Sequence, residues 1–200
     1  MLSQPQPRYS RQRGVSLIEV LITLLILAFG LLGVAGLQAK MSLAEMESYQ
    51  RSQALLALAE MTERMSANPA QAANYVVAGT IGTGDTRPAD CTTIAPGPTR
   101  DLCEWSNSLK GASETKSGVP VGGTNNAYGA VGCITQIQAI NTALGVCTAG
   151  IYQVSVAWQG LNPTAAPPLA MVCGAGSFGA DERFRRVISA RVTVGTTSCF

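Results

Sequence analysis

The longest apolar run in the chain covers residues 15–37, VSLIEVLITLLILAFGLLGVAGL, where Glu19 is the only ionisable side chain. Apolar residues fall on every side of a helix here, so this stretch has to be surrounded by lipid or by other subunits. As a helix it is about 35 Å long, enough to span a bilayer with some tilt. Residues 38–67 hold no Pro or Gly and are rich in strong helix formers. Within them Ala54, Leu58, Met61 and Met65 follow an i, i+4, i+7, i+11 rhythm, a single apolar stripe. Glu47 with Arg51 and Glu60 with Arg64 stand at i, i+4, the spacing of helical ion pairs. Asn68-Pro69 then closes the run, because proline disfavours helix at the residue before it. The pattern predicts one helix over residues 15–67, about 80 Å long, apolar all round in its first half and one-faced in its second. Met41, Met46, Met61 and Met65 read as core and interface filler.

Residues 70–130 show no sustained periodicity and read as a long connecting region. Within it, residues 99–111, TRDLCEWSNSLKG, predict a short helix with Thr99 or Asp101 as N-cap. Leu102, Trp105 and Leu109 would lie on its buried face, with Trp105 as a core anchor and Gly111 as the stop. Further on the period changes to two. Tyr152, Val154, Val156 and Trp158 alternate with smaller or polar residues, as do Ile188, Ala190, Val192 and Val194. Shorter strand candidates are residues 132–139 and 169–173. Four strands joined by turn-rich links favour an antiparallel sheet, and the stripe of the long helix is the available cover for one face. The segment between Trp158 and Cys173 contains Asn162-Pro163 and Pro167-Pro168 and should be a solvent-facing loop.

Two hundred residues suffice for one compact domain plus an extension. The formal charge of +2 comes from fourteen bases and twelve acids, but Arg8, Arg11 and Arg13 precede the apolar run. Without residues 1–14 the balance is 11 bases to 12 acids, a net of −1. A nucleic-acid partner, which would want a basic face on the folded part, is therefore not expected. The chain has no histidine, which excludes Ser/His/Asp and Cys/His nucleophilic sites and any His-ligated metal. Cys91, Cys103, Cys133, Cys147, Cys173 and Cys199 form an even set without a CxxC pair, the signature of three disulfides in an oxidising compartment. Six cysteines allow fifteen pairings and the sequence alone does not choose among them; the expected set, which closes short loops between adjacent predicted elements, is Cys91 with Cys103, Cys133 with Cys147, and Cys173 with Cys199. Three arginines before the apolar run and only Lys40 soon after it place the N-terminus in the cytoplasm and the cysteines outside.

The junction Arg13-Gly14-Val15-Ser16-Leu17-Ile18-Glu19 differs from an ordinary secretory signal, since the apolar run is too long and an acid sits inside it. RGVSLIEVLITLLILAFGLLGVAGLQ resembles the class III signal of type IV prepilins and pseudopilins, and most of all that of PilV-type minor pilins. The resemblance implies cleavage between Gly14 and Val15 by prepilin peptidase, N-methylation of Val15 by an N-methyltransferase, and an assembly role for Glu19. Its carboxylate would pair with the new amine of Val15 or of a neighbouring subunit, a pairing that is much cheaper in a low-dielectric setting than either charge alone. Gly30, Gly33 and Gly36 leave close helix packing, local helix weakening and the usual glycine enrichment of membrane helices all open. The family's frequent proline in this region is missing.

The resemblance also implies the α+β pilin fold, a long N-terminal helix packed on a C-terminal antiparallel sheet. Its expected parts are a cleaved leader (1–14), a transmembrane half-helix (15–37), an amphipathic periplasmic half-helix (38–67) and a periplasmic domain with three disulfides (68–200). The expected protein is an inner-membrane, single-pass minor pilin that primes or caps a type IV pilus in twitching motility or adhesion. Its partners would be other minor pilins, the major pilin and the inner-membrane assembly platform. A minor pseudopilin of a type II secretion system and a tip-displayed adhesin or ligand-binding module are the alternatives. The lack of an acidic run suited to a calcium loop favours the pilus. No cofactor, metal site or enzymatic activity is expected, because phosphate loops, dinucleotide fingerprints and triads are all absent. An enzyme would need Asp90, Asp101 or Glu104 to pair across a cleft. The run Asp181-Glu182-Arg183 with Arg185 and Arg186 reads as a solvated charge cluster ahead of a strand.

Overall fold

Helix α1 spans Leu17–Ala67 in the computed structural model, which describes residues 14–111, 115–116, 119–120, 129–143 and 147–195. It runs unbroken through Gly30, Gly33 and Gly36. The chain divides into two units, Met1–Glu45 and Met46–Phe200. In the first, every described side chain is exposed, including the large aliphatics from Val15 to Leu37. This is the one described helix long and apolar enough to cross a membrane.

In the second unit, α1 buries Ala54, Ala57, Leu58, Met61 and Met65, the stripe that the sequence rhythm predicts. Met41 and Met46 remain exposed, so only the two later methionines fill the core. A 3-10 segment, Pro69–Tyr75, follows directly where a plain connection was expected, and it buries Ala72 and Tyr75. Strand β1 is Ile81–Gly82 and helix α2 is Pro98–Leu109. The N-cap of α2 is Gly97, not Thr99 or Asp101, because Pro98 takes the first helical position, where its missing N–H costs nothing. Leu102, Trp105 and Leu109 face inward as expected, and Gly111 ends the helix at φ +66°, a left-handed value that favours glycine.

The remaining strands are β2 (Thr115–Lys116), β3 (Val119–Pro120), β4 (Val131–Gln138), β5 (Gly150–Gln159) and β6 (Arg185–Val194). Strands β2 and β3 pair with each other, and the main sheet has the order β1-β4-β5-β6, antiparallel throughout. The α+β arrangement of a long N-terminal helix and a four-stranded sheet is thus present, with one strand exchanged. Residues 169–173 are not a strand. They follow Pro167-Pro168, and Leu169 is 98% exposed. The fourth strand is β1 instead, whose two residues are too few to show a period.

Register decides what each face holds. Gly132 and Ile134 of β4, Tyr152, Val154, Val156 and Trp158 of β5, and Val192 and Val194 of β6 point to the α1/α2 side. Trp105 is the anchor there, fully buried, with its indole N–H donating to the Ala57 carbonyl at 2.8 Å. Val131, Ala157 and the half-buried Val187 point the other way, against Cys173 and Phe178 of the β5–β6 connection. That connection therefore covers one end of the second face of the sheet, while Thr135, Ser189, Arg191 and Thr193 on the same face stay exposed. Arg185, which reads in sequence as part of a solvated run, is only 5% exposed. It donates to the carbonyls of Met171 (2.7 Å) and Cys173 (3.0 Å) and pairs with Glu182, holding the connection down. Only Arg183, paired with Asp181 at 2.9 Å, stays in solvent.

Two disulfides are described. Cys91 is joined to Cys103, twelve residues on. Cys133 is joined to Cys173 and not to Cys147, which also removes Cys173 from the expected pair with Cys199. The ladder explains the difference: Cys133 lies opposite Ser155, whereas Cys147 sits beyond the Asn141–Thr148 bridge near the end of the hairpin. The two are separated by about 30 Å along the strands, far beyond disulfide reach. Cys147 is disulfide-bonded, and Cys199 lies outside the described residues.

Candidate functional site

The first described residue is Gly14, and Val15 and Ser16 precede the helix. The Ser16 carbonyl accepts from the amides of Glu19 (3.0 Å) and Val20 (3.3 Å), so α1 is under way by Glu19. Val15 thus lies two residues ahead of the first helical residue, and Glu19 lies in the first turn. An acid there faces the unsatisfied amides and positive dipole end of the helix, a favourable placement independent of any partner. Ser16-x-x-Glu19 also has the spacing of a capping box, a signal readable in the sequence that the apolar run conceals. Val15, Leu17 and Ile18 are all more than half exposed. A helix start that is apolar on every side, acidic in its first turn and bare of covering side chains suits insertion among lipids or like helices.

Residues 9–35 match the prokaryotic N-terminal methylation motif. The motif supports a type IV pilin-like protein, pilin or pseudopilin, and suggests a structural rather than an enzymatic one. It implies processing by a prepilin peptidase and contact with pilus-type assembly machinery, and with the apolar helix it fits membrane anchoring. No curated protein and no solved structure matches the chain. The methylation motif thus carries the relationship, and it covers residues 9–35 alone, none of them in the head, residues 46–200.

The acids that an enzyme would have to use are engaged elsewhere. Asp101 and Glu104 both accept from Arg64 of α1, at 2.7 and 2.8 Å, and Arg64 also holds Glu60 at 2.8 Å, the expected i, i+4 pair. The Tyr75 hydroxyl donates to Asp101, and Arg100 pairs with Glu104. Burial, then the bond to Asp101, pushes the Tyr75 hydroxyl up to about 12. Arg100 and then Arg64 hold Glu104 below its ordinary range. Asp90 is exposed and accepts from Thr92. Arg64 with Asp101 and Glu104 ties α2 to α1, and Tyr75 with Asp101 ties the 3-10 segment to α2.

Asp85, which sequence reasoning passed over, is a second lock. Burial alone would raise its carboxyl, but Lys110 (2.6 Å), the Gly82 amide, Arg87 and Ser106 outweigh that and hold it well below the carboxylate range. Its signal was the surplus of bases around it at 87 and 110, visible only once α2 folds back on β1. Among the described residues no group of three or more His, Cys, Asp or Glu is placed to hold a metal.

Proposed function

We propose that this chain is a minor pilin that takes part in priming or capping a type IV pilus. The observation that carries the proposal is the methylation motif at 9–35 set on a helix that starts bare and apolar and ends as the core stripe of a disulfide-stapled head. In this reading prepilin peptidase cuts between Gly14 and Val15, and an N-methyltransferase modifies the Val15 amine. Residues 15–37 hold the chain in the inner membrane and residues 38–67 continue into a periplasmic domain, 68–200. The likeness of the signal to PilV-type minor pilins supports the minor-pilin role over that of a major subunit.

Glu19 is the assembly residue. Its carboxylate stands within a turn of the amine that cleavage creates, and an ion pair shielded from water recruits and registers subunits more strongly than either charge alone. The partners are other minor pilins, the major pilin and the inner-membrane assembly platform.

Deleting the gene is expected to reduce surface pili and twitching while protein secretion continues. Lost secretion with normal pili would make the chain a pseudopilin instead. Mass spectrometry of the membrane-extracted protein should find an N-methylated Val15 at its start; a start beyond residue 30 would remove both readings.

A further inference from the structure

Within the head, a cleft of about 450 Å³ opens beside the 47–51 turn of α1, where β5 ends and β6 begins. Its size falls in the range of ligand sites. Glu47, Ser48, Arg51, Trp158, Gly160 and Arg186 line it. Glu47 does not pair with Arg51, the partner its i, i+4 spacing suggests. Its Oε1 accepts instead from Arg186 Nη2 (3.3 Å) and from the Asn162 amide (3.2 Å). Arg186 is fixed by donating to the carbonyls of Asn162 (2.6 Å) and Arg183 (2.9 Å). Gly160 allows this, because a Cβ there would stand 2.6 Å from the Arg186 guanidinium carbon. Glu47 and Arg186 therefore neutralise each other in place. Arg51 is left exposed at the cleft without an acid partner among the described residues.

We propose that this cleft receives an Asp or Glu side chain from an acidic segment of a neighbouring subunit, with Arg51 binding the carboxylate and Trp158 packing on its methylene stem. Two bases against one acid leave the lining one positive charge, which suits a monoanion. The fixed carboxylate of Glu47 disfavours a phosphate dianion in the same place. An arginine is the side chain best shaped for a carboxylate, and its guanidinium is more weakly hydrated than a lysine ammonium, so it loses less on pairing. The open side of the cleft admits a side chain from without, and the identity of the donor as a neighbouring subunit rests on the assembly reading above.

The test uses the full chain in detergent micelles, with the indole N–H of Trp158 as NMR reporter and that of Trp105, locked on Ala57, as internal control. The probe is the peptide acetyl-Ser-Ala-Glu-Ala-Ser-amide, compared with its Gln counterpart. The Glu peptide is expected to shift the Trp158 signal and leave Trp105 unmoved, to bind roughly two- to fivefold tighter than the Gln peptide, and to weaken as salt rises. Arg51→Ala should reduce the Glu peptide to the level of the Gln peptide, and Arg51→Lys should restore part of the difference. Equal binding of the two peptides, or no effect of Arg51→Ala, would overturn the proposal.

Photocrosslinkers placed in cells at Ser48 and in the apolar segment separate the two readings. Capture of pilin-like subunits at both positions supports the proposal. Capture from the apolar segment alone rejects the cleft as a subunit contact and leaves the assembly reading intact. Capture at neither, with peptide binding retained, rejects the assembly reading and with it the neighbouring subunit as donor.

Discussion

Replacing Gly132 by alanine should disrupt the head from its centre. Gly132 lies in β4 opposite Val156, with a backbone conformation open to any residue, so the only obstacle to a side chain is its neighbours. An alanine Cβ would stand 2.2 Å from Trp105 Cη2, 2.5 Å from Cζ3 and 2.9 Å from Leu109 Cδ1. Carbon atoms pack at about 3.5–4.0 Å, so the indole would have to retreat by more than about 1 Å. Trp105 is fully buried and tied to Ala57, and a close-packed interior offers it no vacant space. Overpacking of this kind typically costs 1–3 kcal/mol, and a locked tryptophan belongs at the upper end, about 3 kcal/mol. For a protein of this size that lowers the melting temperature by about 6–12 °C. Thermal unfolding of the oxidised chain in mild detergent, followed by near-UV circular dichroism, reads the change. In a Trp105→Phe background, where the clashing ring atoms are gone, Gly132→Ala should cost at least ~1.5 kcal/mol less. A drop under ~2 °C, or the same cost in both backgrounds, would refute the packing of Trp105 against β4.

The bridge between Cys133 and Cys173 closes a loop across the sheet, so Cys133→Ala with Cys173→Ala should destabilise by about 4 kcal/mol in the chain-entropy account, read by denaturant titration. Peptide mapping without reductant should recover Cys91 with Cys103 and Cys133 with Cys173, and intact mass should show all six cysteines oxidised; titratable thiols in the denatured protein would contradict this. Tyr75 binds its proton more tightly when folded, so its contribution is complete below pH ~10 and is lost as pH rises toward about 12. Absorbance at 295 nm should accordingly show one tyrosine titrating together with alkaline unfolding, and Tyr75→Phe should remove that coupling. Asp85 works in the opposite direction: its folded carboxyl is depressed, so its contribution is complete above pH ~4 and falls as acid is added, and Asp85→Asn should flatten the acid limb of stability against pH.

The parts legible in the sequence are those where one period persists. The stripe from Ala54 to Met65 and the alternations of β5 and β6 repeat long enough to be read, and they gave the helix, two strands and the inner face of the sheet. Strand β1 has two residues and no period, and it exists because β4 offers it an edge. The stretch at 169–173 has an apolar composition, but Pro167-Pro168 and the pull of Arg185 on the Met171 and Cys173 carbonyls hold it in a non-strand path. The pairing of Cys133 depended on register, which places Cys147 too far along the hairpin. Glu47 passed over its helical neighbour because Arg186 and the Asn162 amide offer two donors from the sheet side. At the N-terminus the methylation motif at 9–35 was readable in full, because it is carried by residue type and spacing alone.

The first half of the β5–β6 connection is fastened at 162–164 and again at 171–173, and is free between. Arg186 and Glu47 grip Asn162, the Arg183 carbonyl takes the Thr164 amide, and the Cys133 bridge with Arg185 grips residues 171–173. Ala165 and Ala166 between those fastenings are exposed and donate no backbone hydrogen bond to the rest of the fold. Inserted sequence at that point would displace nothing buried and leave both clamps closed. The connection is thus a natural handle, where a short tag or a fluorophore-bearing cysteine-free peptide could report on where and when each copy is present, without touching α1.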